Sequence, residues 1–346
     1  MSVFVVSGAD ASGGGPRVGL RYKTAPGVVE TRIADYGPWL PSTALPTRLV
    51  TLEGEPAPVL QKVVTSQVAA GDPHAFARLE NEIRALVRLR RRYGSARPAE
   101  LPRFLGYDED TEEPFVLVGA PSGRPVHELA GQLMMETQSA FEVGLLRALR
   151  LLGEAGVVHG RLGPETVWCD GPMVQVADLG AAGVHGESRP AWAEAASHPA
   201  IADTAEDVWS AGILIHYVET GELPAGVPAL LPGTRLAMLL DGVFGPAADR
   251  PSATVLLQRS RAETAVPAGT LGPDAAFVAG QRRFDEVRAE KAGPPPTRAP
   301  QRPPVARRTE PVATRRADRG DRRTAVLIGI FAVVLVMVAL GFAAVA

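Results

Sequence analysis

The chain reads Val-Val-His-Gly-Arg-Leu-Gly-Pro-Glu-Thr-Val at residues 157–167. Before this stretch, apolar residues recur at helical spacing through residues 139–155, which predicts a long helix with one buried face. After it, two short apolar runs flank an Asp-Gly pair at residues 170–171, which is typical of a tight hairpin turn. The quoted stretch is therefore predicted to be a polar loop between a helix and a hairpin, with Arg161 near its centre.

This loop resembles the catalytic loop of protein kinases, H-R-D-L-K-P-E-N-I. Aligned on His159, Arg161 takes the position of the aspartate that accepts the proton of the substrate hydroxyl. Gly163 takes the position of the phosphate-contacting lysine, and Thr166 that of the metal-binding asparagine. A guanidinium, whose pKa exceeds about 12, cannot act as a general base. The resemblance therefore implies a degenerate loop in which no residue is expected to be catalytic.

Further motifs of the same family follow in the family's order. Lys62 resembles the third-strand lysine that contacts the nucleotide phosphates, and Glu82 resembles the helix glutamate that orients it. Asp178, in Asp-Leu-Gly, resembles the D-F-G aspartate that holds Mg²⁺ on the phosphates. Asp207 resembles the aspartate that braces the catalytic-loop backbone, and Arg250 resembles the arginine of a late D-R-P-S-A element. The resemblance assigns the first three to nucleotide binding, if it is retained, and the last two to structure.

These motifs extend over roughly residues 45–265 and resemble the bacterial eukaryotic-like Ser/Thr protein kinases. Strand-like patterns come first and helical patterns follow, which is the order of an α+β, two-lobed protein-kinase-like fold. We therefore expect a degenerate member of that family, a pseudokinase, at residues 45–265. Residues 1–44 match no kinase element and are interpreted as an N-terminal extension, in which Val3–Val6 and Val18–Tyr22 are expected to form a hairpin.

Departures from the family pattern weaken the expectation of chemistry. No G-x-G-x-x-G precedes Lys62, and residues 52–58 instead carry two glutamates and two prolines, which repel phosphates and withhold N–H donors. Mg-ATP therefore remains an open cofactor, with Asp178 a metal ligand only if Mg-nucleotide binds. Without a metal, Asp178 is expected to form an ion pair with Arg161, because a bidentate guanidinium satisfies a buried carboxylate.

Charge is distributed unevenly along the 346 residues. The net charge of −2 combines +7 at residues 288–323 with −9 over the remainder. An acidic body argues against nucleic acid as a partner, whereas the basic stretch is expected to meet an anionic surface. The single Cys169 excludes an intrachain disulfide and is typical of a reducing compartment.

The C-terminal part of the chain predicts a membrane anchor. Residues 266–323 are interpreted as a Pro/Arg-rich linker, disordered from about residue 293. Residues 324–346 carry no charge and, as a helix, would span about 34 Å, enough to cross a bilayer. Five arginines directly precede that segment, so the positive-inside rule predicts a cytoplasmic body. We expect a single-pass protein of the inner (cytoplasmic) membrane, held by this helix and the basic linker.

Three functions stay open from the sequence. The expected one is a cytoplasmic, membrane-anchored pseudokinase that serves as a binding or scaffold module in bacterial envelope signalling, with an unidentified protein partner. The second is an active, atypical Ser/Thr kinase with Glu165 or Asp170 as the base. The third is a structural subunit of a membrane machine such as a secretion apparatus. Because Arg161 replaces the base, enzyme activity is not expected.

Truncation after Arg323 tests the membrane anchor. The full chain should sediment with cytoplasmic membranes, and the truncated chain should stay in the supernatant, because the 23 uncharged residues are removed. Fractionation and immunoblotting measure this, with a high-salt wash as the control for charge-mediated adhesion of the linker. Truncated protein that stays on salt-washed membranes would contradict the anchor.

Overall fold

A computed structural model describes residues 17–41, 45–94, 97–188 and 201–262. The chain divides into two units, Met1–Val278 and Ala279–Ala346, and every described residue belongs to the first. The expected linker, the expected membrane helix and Val3–Val6 lie outside the described residues. Within those residues, no helix combines the length and apolarity needed to cross a membrane.

The strands and helices of the described residues follow in chain order. The strands are β1 Val18–Lys23, β2 Val29–Leu40, β3 Thr47–Leu52, β4 Val59–Val63, β5 Phe104–Asp108, β6 Phe115–Gly119, β7 Arg124–Pro125, β8 Val157–Val158, β9 Val167–Asp170, β10 Met173–Val176 and β11 Gly183–Val184. The helices are α1 Ser66–Gly71, α2 Ala75–Tyr93, α3 Met135–Glu154, α4 Thr204–Thr220, α5 Arg235–Leu239 and α6 Ala253–Arg259. Short 3₁₀ turns lie at Val126–Glu128, Leu179–Ala181 and Ala247–Asp249.

The first six strands form a closed antiparallel barrel in the order β1-β2-β3-β4-β6-β5. Closure is made where β1 returns to β5, with Lys23 opposite Tyr107. Lys23 Nζ lies 2.8 Å from a carboxylate oxygen of Glu109, and Arg21 Nη1 lies 2.9 Å from the buried carboxylate of Asp108. These ion pairs connect β1 to the end of β5, two segments that are far apart in the sequence.

The expected two-lobed protein-kinase-like fold is wrong. That expectation placed residues 1–44 outside the fold, whereas residues 18–40 supply two of the six barrel strands. The physical reason is that β1 and β2 are amphipathic and bury apolar residues in the barrel core. In addition, β1 pairs with the edge of β5, whose backbone hydrogen-bonding groups would otherwise have no strand partner. Val18–Lys23 pairs with β2 along its whole length. The result is a closed barrel accompanied by a small set of helices.

The barrel has its own apolar core, which explains why buried and more exposed residues alternate along its strands. Inward-facing residues fill the interior and outward-facing residues are polar or meet the helices. The buried members of this core are Leu20, Tyr22, Ala34, Val50, Leu52, Val59, Val63, Phe115 and Leu117. β6 is buried on both faces, because Val116 and Val118 face the second core between the barrel and α2. This burial accounts for its continuous apolar run.

The helices hold the loop at residues 157–167, because α2, α3 and α4 all contact β8 at its start. α2 buries Leu79, Glu82, Leu86, Leu89 and Tyr93 on one face, at the spacing of a helix that packs along one stripe. It contacts β5, β6 and the turn that begins at Leu179. α4 begins at a capping box in which the Asp203 and Glu206 side chains satisfy each other's backbone N–H groups. α2 and α4 therefore position the two sides of the candidate site.

Substitution of Gly106 tests the barrel closure. A Cβ at this position in β5 would lie 2.7 Å from the carbonyl oxygen of Lys23 and would press on the ring of Tyr22. Gly106→Ala should therefore lower the free energy of unfolding by about 1–3 kcal/mol, because β1 must move away from β5. Urea unfolding of the full chain in detergent measures the loss.

Gly71→Ala is the matched control, since a Cβ at residue 71 meets no atom within 4 Å. It should leave the unfolding midpoint nearly unchanged. Equal effects of the two substitutions would contradict a tight contact between β1 and β5 at Gly106.

Candidate functional site

Three charged side chains meet between β4, α2 and the turn after β10, and we refer to Lys62, Glu82 and Asp178 as the ion triad. Lys62 Nζ lies 2.6 Å from Glu82 Oε1 and 3.2 Å from Asp178 Oδ1. The Glu82 side chain is 2% exposed, and those of Lys62 and Asp178 are 11% and 20% exposed. One ammonium group thus contacts two carboxyl groups in a nearly water-free place.

Local structure brings each member of the triad to this point. On β4, Val59, Gln61 and Val63 are buried toward the barrel, so Lys62 projects from the opposite face. Glu82 lies on the buried stripe of α2. Asp178 has a left-handed backbone with φ of 62°, an uncommon conformation for a residue other than glycine. The turn it begins stays in place because its carboxylate is held by Lys62.

Burial and charge act in opposite directions on the pKa values of the triad. Burial favours neutral Lys62, but Glu82 and Asp178 outweigh it and raise the pKa of the ammonium group. Burial also opposes ionised Asp178, yet Lys62 outweighs it and the pKa of this carboxyl falls below its ordinary value. Burial dominates at Glu82 and raises its pKa. The stability that Asp178 contributes is therefore complete above its unfolded-state pKa and is lost as the pH falls.

The loop at residues 157–167 is fastened to α4 through Asp207. Its carboxylate accepts hydrogen bonds from the backbone N–H of His159 at 2.6 Å and of Gly160 at 2.9 Å. The imidazole of His159 is fully buried, and its Nε2 lies 2.9 Å from the carbonyl oxygen of Ala177. That carbonyl can only accept, so Nε2 carries the proton. His159 thereby links the loop to the residue just before Asp178.

Thr166 and Gly163 close the loop on itself. The Thr166 hydroxyl accepts the backbone N–H of Gly163 at 2.9 Å and lies 3.2 Å from the Gly163 carbonyl oxygen. The hydroxyl is also 3.3 Å from the carbonyl oxygen of Arg161. Thr166 is buried. Its hydrogen-bonding capacity is therefore used inside the loop, at the position that the resemblance assigns to a metal ligand.

Arg161 does not pair with Asp178, so that expectation is wrong. Asp178 is held by Lys62, and among the described residues Arg161 makes no ion pair within 4.0 Å. Its guanidinium still contributes, after Lys62 and His159, to lowering the pKa of Asp178. Arg161 is exposed and lines a groove of about 480 Å³. The groove is also lined by His127, Glu165, Ser210, Tyr217 and Leu223.

Arg250 supports α4 from the other side. Its Nε donates to the Gly245 carbonyl at 2.9 Å, and its Nη1 donates to the Ala205 carbonyl at 3.1 Å. Both contacts are to backbone, whereas the kinase resemblance pairs this arginine with a glutamate. Arg250 thus fixes the first turn of α4, from which Asp207 reaches the loop.

Sequence reasoning missed the role of Glu55, which was interpreted only as a charge that repels phosphate. In the turn between β3 and β4, its carboxylate pairs with Arg32 at 3.2 Å and with Arg103. The residue is therefore neutralised and holds this turn against the barrel. Its partners lie 23 and 48 residues away, and no local pattern signals such pairing.

The residues present do not fit Mg²⁺. Within the described ranges, no group of three His, Cys, Asp or Glu side chains is arranged to hold a metal ion. In the triad an ammonium group already contacts both carboxylates, and Thr166 is satisfied within its own loop. A divalent cation here would have to displace Lys62 and would gain too few oxygen ligands.

No protein-family model matches the chain, and no curated protein matches its sequence significantly. The kinase motifs therefore stand as a resemblance carried by the residues themselves.

Replacement of Lys62 by Met tests the energetic role of the triad. The variant leaves Glu82 and Asp178 facing each other without a cation, which should cost about 3–5 kcal/mol at pH 8. Both carboxyls then have raised pKa values in the folded state, so the penalty appears as pH rises above their unfolded values and shrinks toward pH 5. Urea unfolding at pH 5 and pH 8 measures both effects.

Lys23→Met is the control, because the carboxylates it faces, Glu109 and Asp110, are 48% and 61% exposed. Such surface pairs contribute about 0–1 kcal/mol. If the two lysine variants lose the same stability at pH 8, the triad is not a buried ionic centre.

Proposed function

We propose that this protein is a membrane-anchored, cytoplasmic binding or scaffold module that performs the non-catalytic role of a pseudokinase on a barrel-based fold. The observation that carries the proposal is the ion triad. Lys62 contacts Glu82 and Asp178 directly, so the groups that would hold a magnesium nucleotide are paired with one another. A site whose charged groups already pair with one another is suited to stability, not to turnover.

The loop supports the same conclusion. Arg161 stands at the position of the base and cannot accept a proton at physiological pH. Thr166 is consumed by hydrogen bonds within the loop, and Gly163 offers no side chain. Asp207 still holds the loop backbone rigidly. The scaffold of the loop is therefore preserved while the groups required for phosphoryl transfer are missing or occupied.

An active, atypical kinase is the weaker alternative. Glu165 and Asp170 are exposed, but a base alone does not position a phosphoryl donor. The turn between β3 and β4 is tied down through Glu55 and has no glycine-rich segment to cover phosphates. Both observations disfavour the alternative.

A partner surface is favoured at the Arg161 groove. Arg161 is exposed there beside Tyr217 and the 56% exposed Leu223. Arginine and aromatic residues beside apolar side chains are the composition typical of contact centres in protein interfaces. We place the contact with the protein partner on this groove. The membrane anchor of the chain itself is placed at residues 324–346.

Phosphotransfer and partner capture with the same preparation test this function. The full chain, purified in detergent, should neither label itself with Mg-ATP nor gain thermal stability from it, because Asp178 is already paired. Radiolabel transfer and thermal unfolding measure this. Magnesium-dependent self-labelling that is lost in Asp178→Ala would contradict the proposal.

Partner capture from membranes of the native host uses Arg161→Glu, which reverses the charge at residue 161 and leaves the contacts of Lys62 with Glu82 and Asp178 in place. The wild-type chain should retain a stoichiometric protein that the variant loses. Arg17→Glu is the matched control, since Arg17 is also exposed and lies before β1. Identical capture by all three proteins would remove the groove from the proposal.

A further inference from the structure

One end of the barrel opens into a cavity of about 470 Å³. At this end lie the end of β1, the start of β2, the turn between β3 and β4, and the start of β5. Because neighbouring strands are antiparallel, these segments converge on a single rim. The cavity is therefore the mouth of the barrel, a place where small molecules commonly bind, and its volume lies in the usual range for such sites.

The wall of the mouth combines apolar and charged residues. Its apolar part consists of Pro26 and Val28 from the β1–β2 turn and Phe104 and Leu105 from β5. Its charged part is arranged as three arginines and two glutamates, which gives a net charge of +1. These residues are Arg32, Arg90, Arg103, Glu30 and Glu55.

Most of these charges are paired within the wall. Arg32 donates to Glu30 at 3.1 Å and to Glu55 at 3.2 Å, and Arg103 also donates to Glu55. The Tyr22 hydroxyl donates to Glu30 at 3.0 Å, and burial together with this glutamate raises its pKa to about 12. Both carboxylates are therefore paired with groups of the barrel itself.

Arg90 is the exception. It lies in the last turn of α2, is exposed, and donates through Nη1 to the Gly94 carbonyl at 2.8 Å. Among the described residues no carboxylate pairs with it. Arg97 is close enough to Arg90 and Arg103 that, after burial, their charges help to lower its pKa. The positive potential at this side of the mouth is thus only partly compensated.

We propose that the mouth of the barrel is a binding site for a small organic anion, a carboxylate or phosphate carried on an apolar body. Arg90 binds the anionic group, because its planar guanidinium has free N–H donors that match two oxygens of such a group. Pro26, Val28, Phe104 and Leu105 pack against the apolar body. Glu30 and Glu55 line the remaining wall and, through their pairing with Arg32 and Arg103, leave Arg90 as the cation that meets the ligand.

This site is separate from the ion triad and from the Arg161 groove. Lys62 projects from the face of β4 that points away from the barrel interior, whereas the mouth is lined by Tyr22, a residue of the interior core. The proposal therefore adds a ligand to the molecule and does not depend on the proposed partner surface.

Ligand-observed NMR with the full chain in detergent tests the site. Benzoate and phenyl phosphate are the probes, and empty micelles are the blank. At least one probe should bind saturably, more tightly than acetate or inorganic phosphate, which lack the apolar body, and more tightly than benzyl alcohol, which lacks the charge. The stronger of the two probes identifies whether the natural ligand carries a carboxylate or a phosphate.

Arg90→Gln should weaken binding of the better probe about tenfold or more, because the charged hydrogen bonds are lost. Arg17→Gln is the matched control, since it removes an exposed arginine just before β1, at the opposite end of that strand. Val28→Asp, at a 57% exposed position of the rim, places a negative charge there and should also weaken binding. Absence of saturable binding, equal binding of acetate, or equal effects of Arg90→Gln and Arg17→Gln would overturn the proposal.

Discussion

A single ammonium group joins the barrel to the helices. Lys62 belongs to a barrel strand, Glu82 to a helix 20 residues later, and Asp178 to a turn 116 residues later. Each carboxylate alone would be costly to bury, and the lysine alone would be too. Together they offset part of these costs, so the relative placement of β4, α2 and the end of β10 is fixed by the contacts of one ammonium group.

The rest of the candidate site is built outward from that centre by hydrogen bonds to backbone. Ala177, next to Asp178, accepts from His159, and His159 in turn is held by Asp207 of α4. Arg250 fixes the start of α4. A displacement of any one of these groups would strain the others, because buried polar networks are stable only when every member is satisfied.

The sequence predicted those parts of the structure that depend on a local pattern of apolar residues or on a recognisable motif. Helical spacing predicted α3, and the two apolar runs around the Asp-Gly pair at residues 170–171 predicted the hairpin of β9 and β10. The kinase-like motifs singled out Lys62, Glu82 and Asp178, which the structure places in contact. The barrel could not be predicted, because the pairing of Lys23 with Tyr107 joins distant segments that carry no shared local signal. The arginine partners of Glu55 and the free position of Arg161 depend on the same long-range geometry.

Closure of the barrel also has a consequence for biosynthesis. Arg21 and Asp108, which seal β1 to β5, are 87 residues apart. A ribosome that adds about 5–20 residues per second needs roughly 4–17 s to make the second partner after the first. Through that interval the edge of β1 that later pairs with β5 stays open to chaperones and to neighbouring nascent chains. β1 thus waits for its second partner strand, and the interval is set by chain order alone.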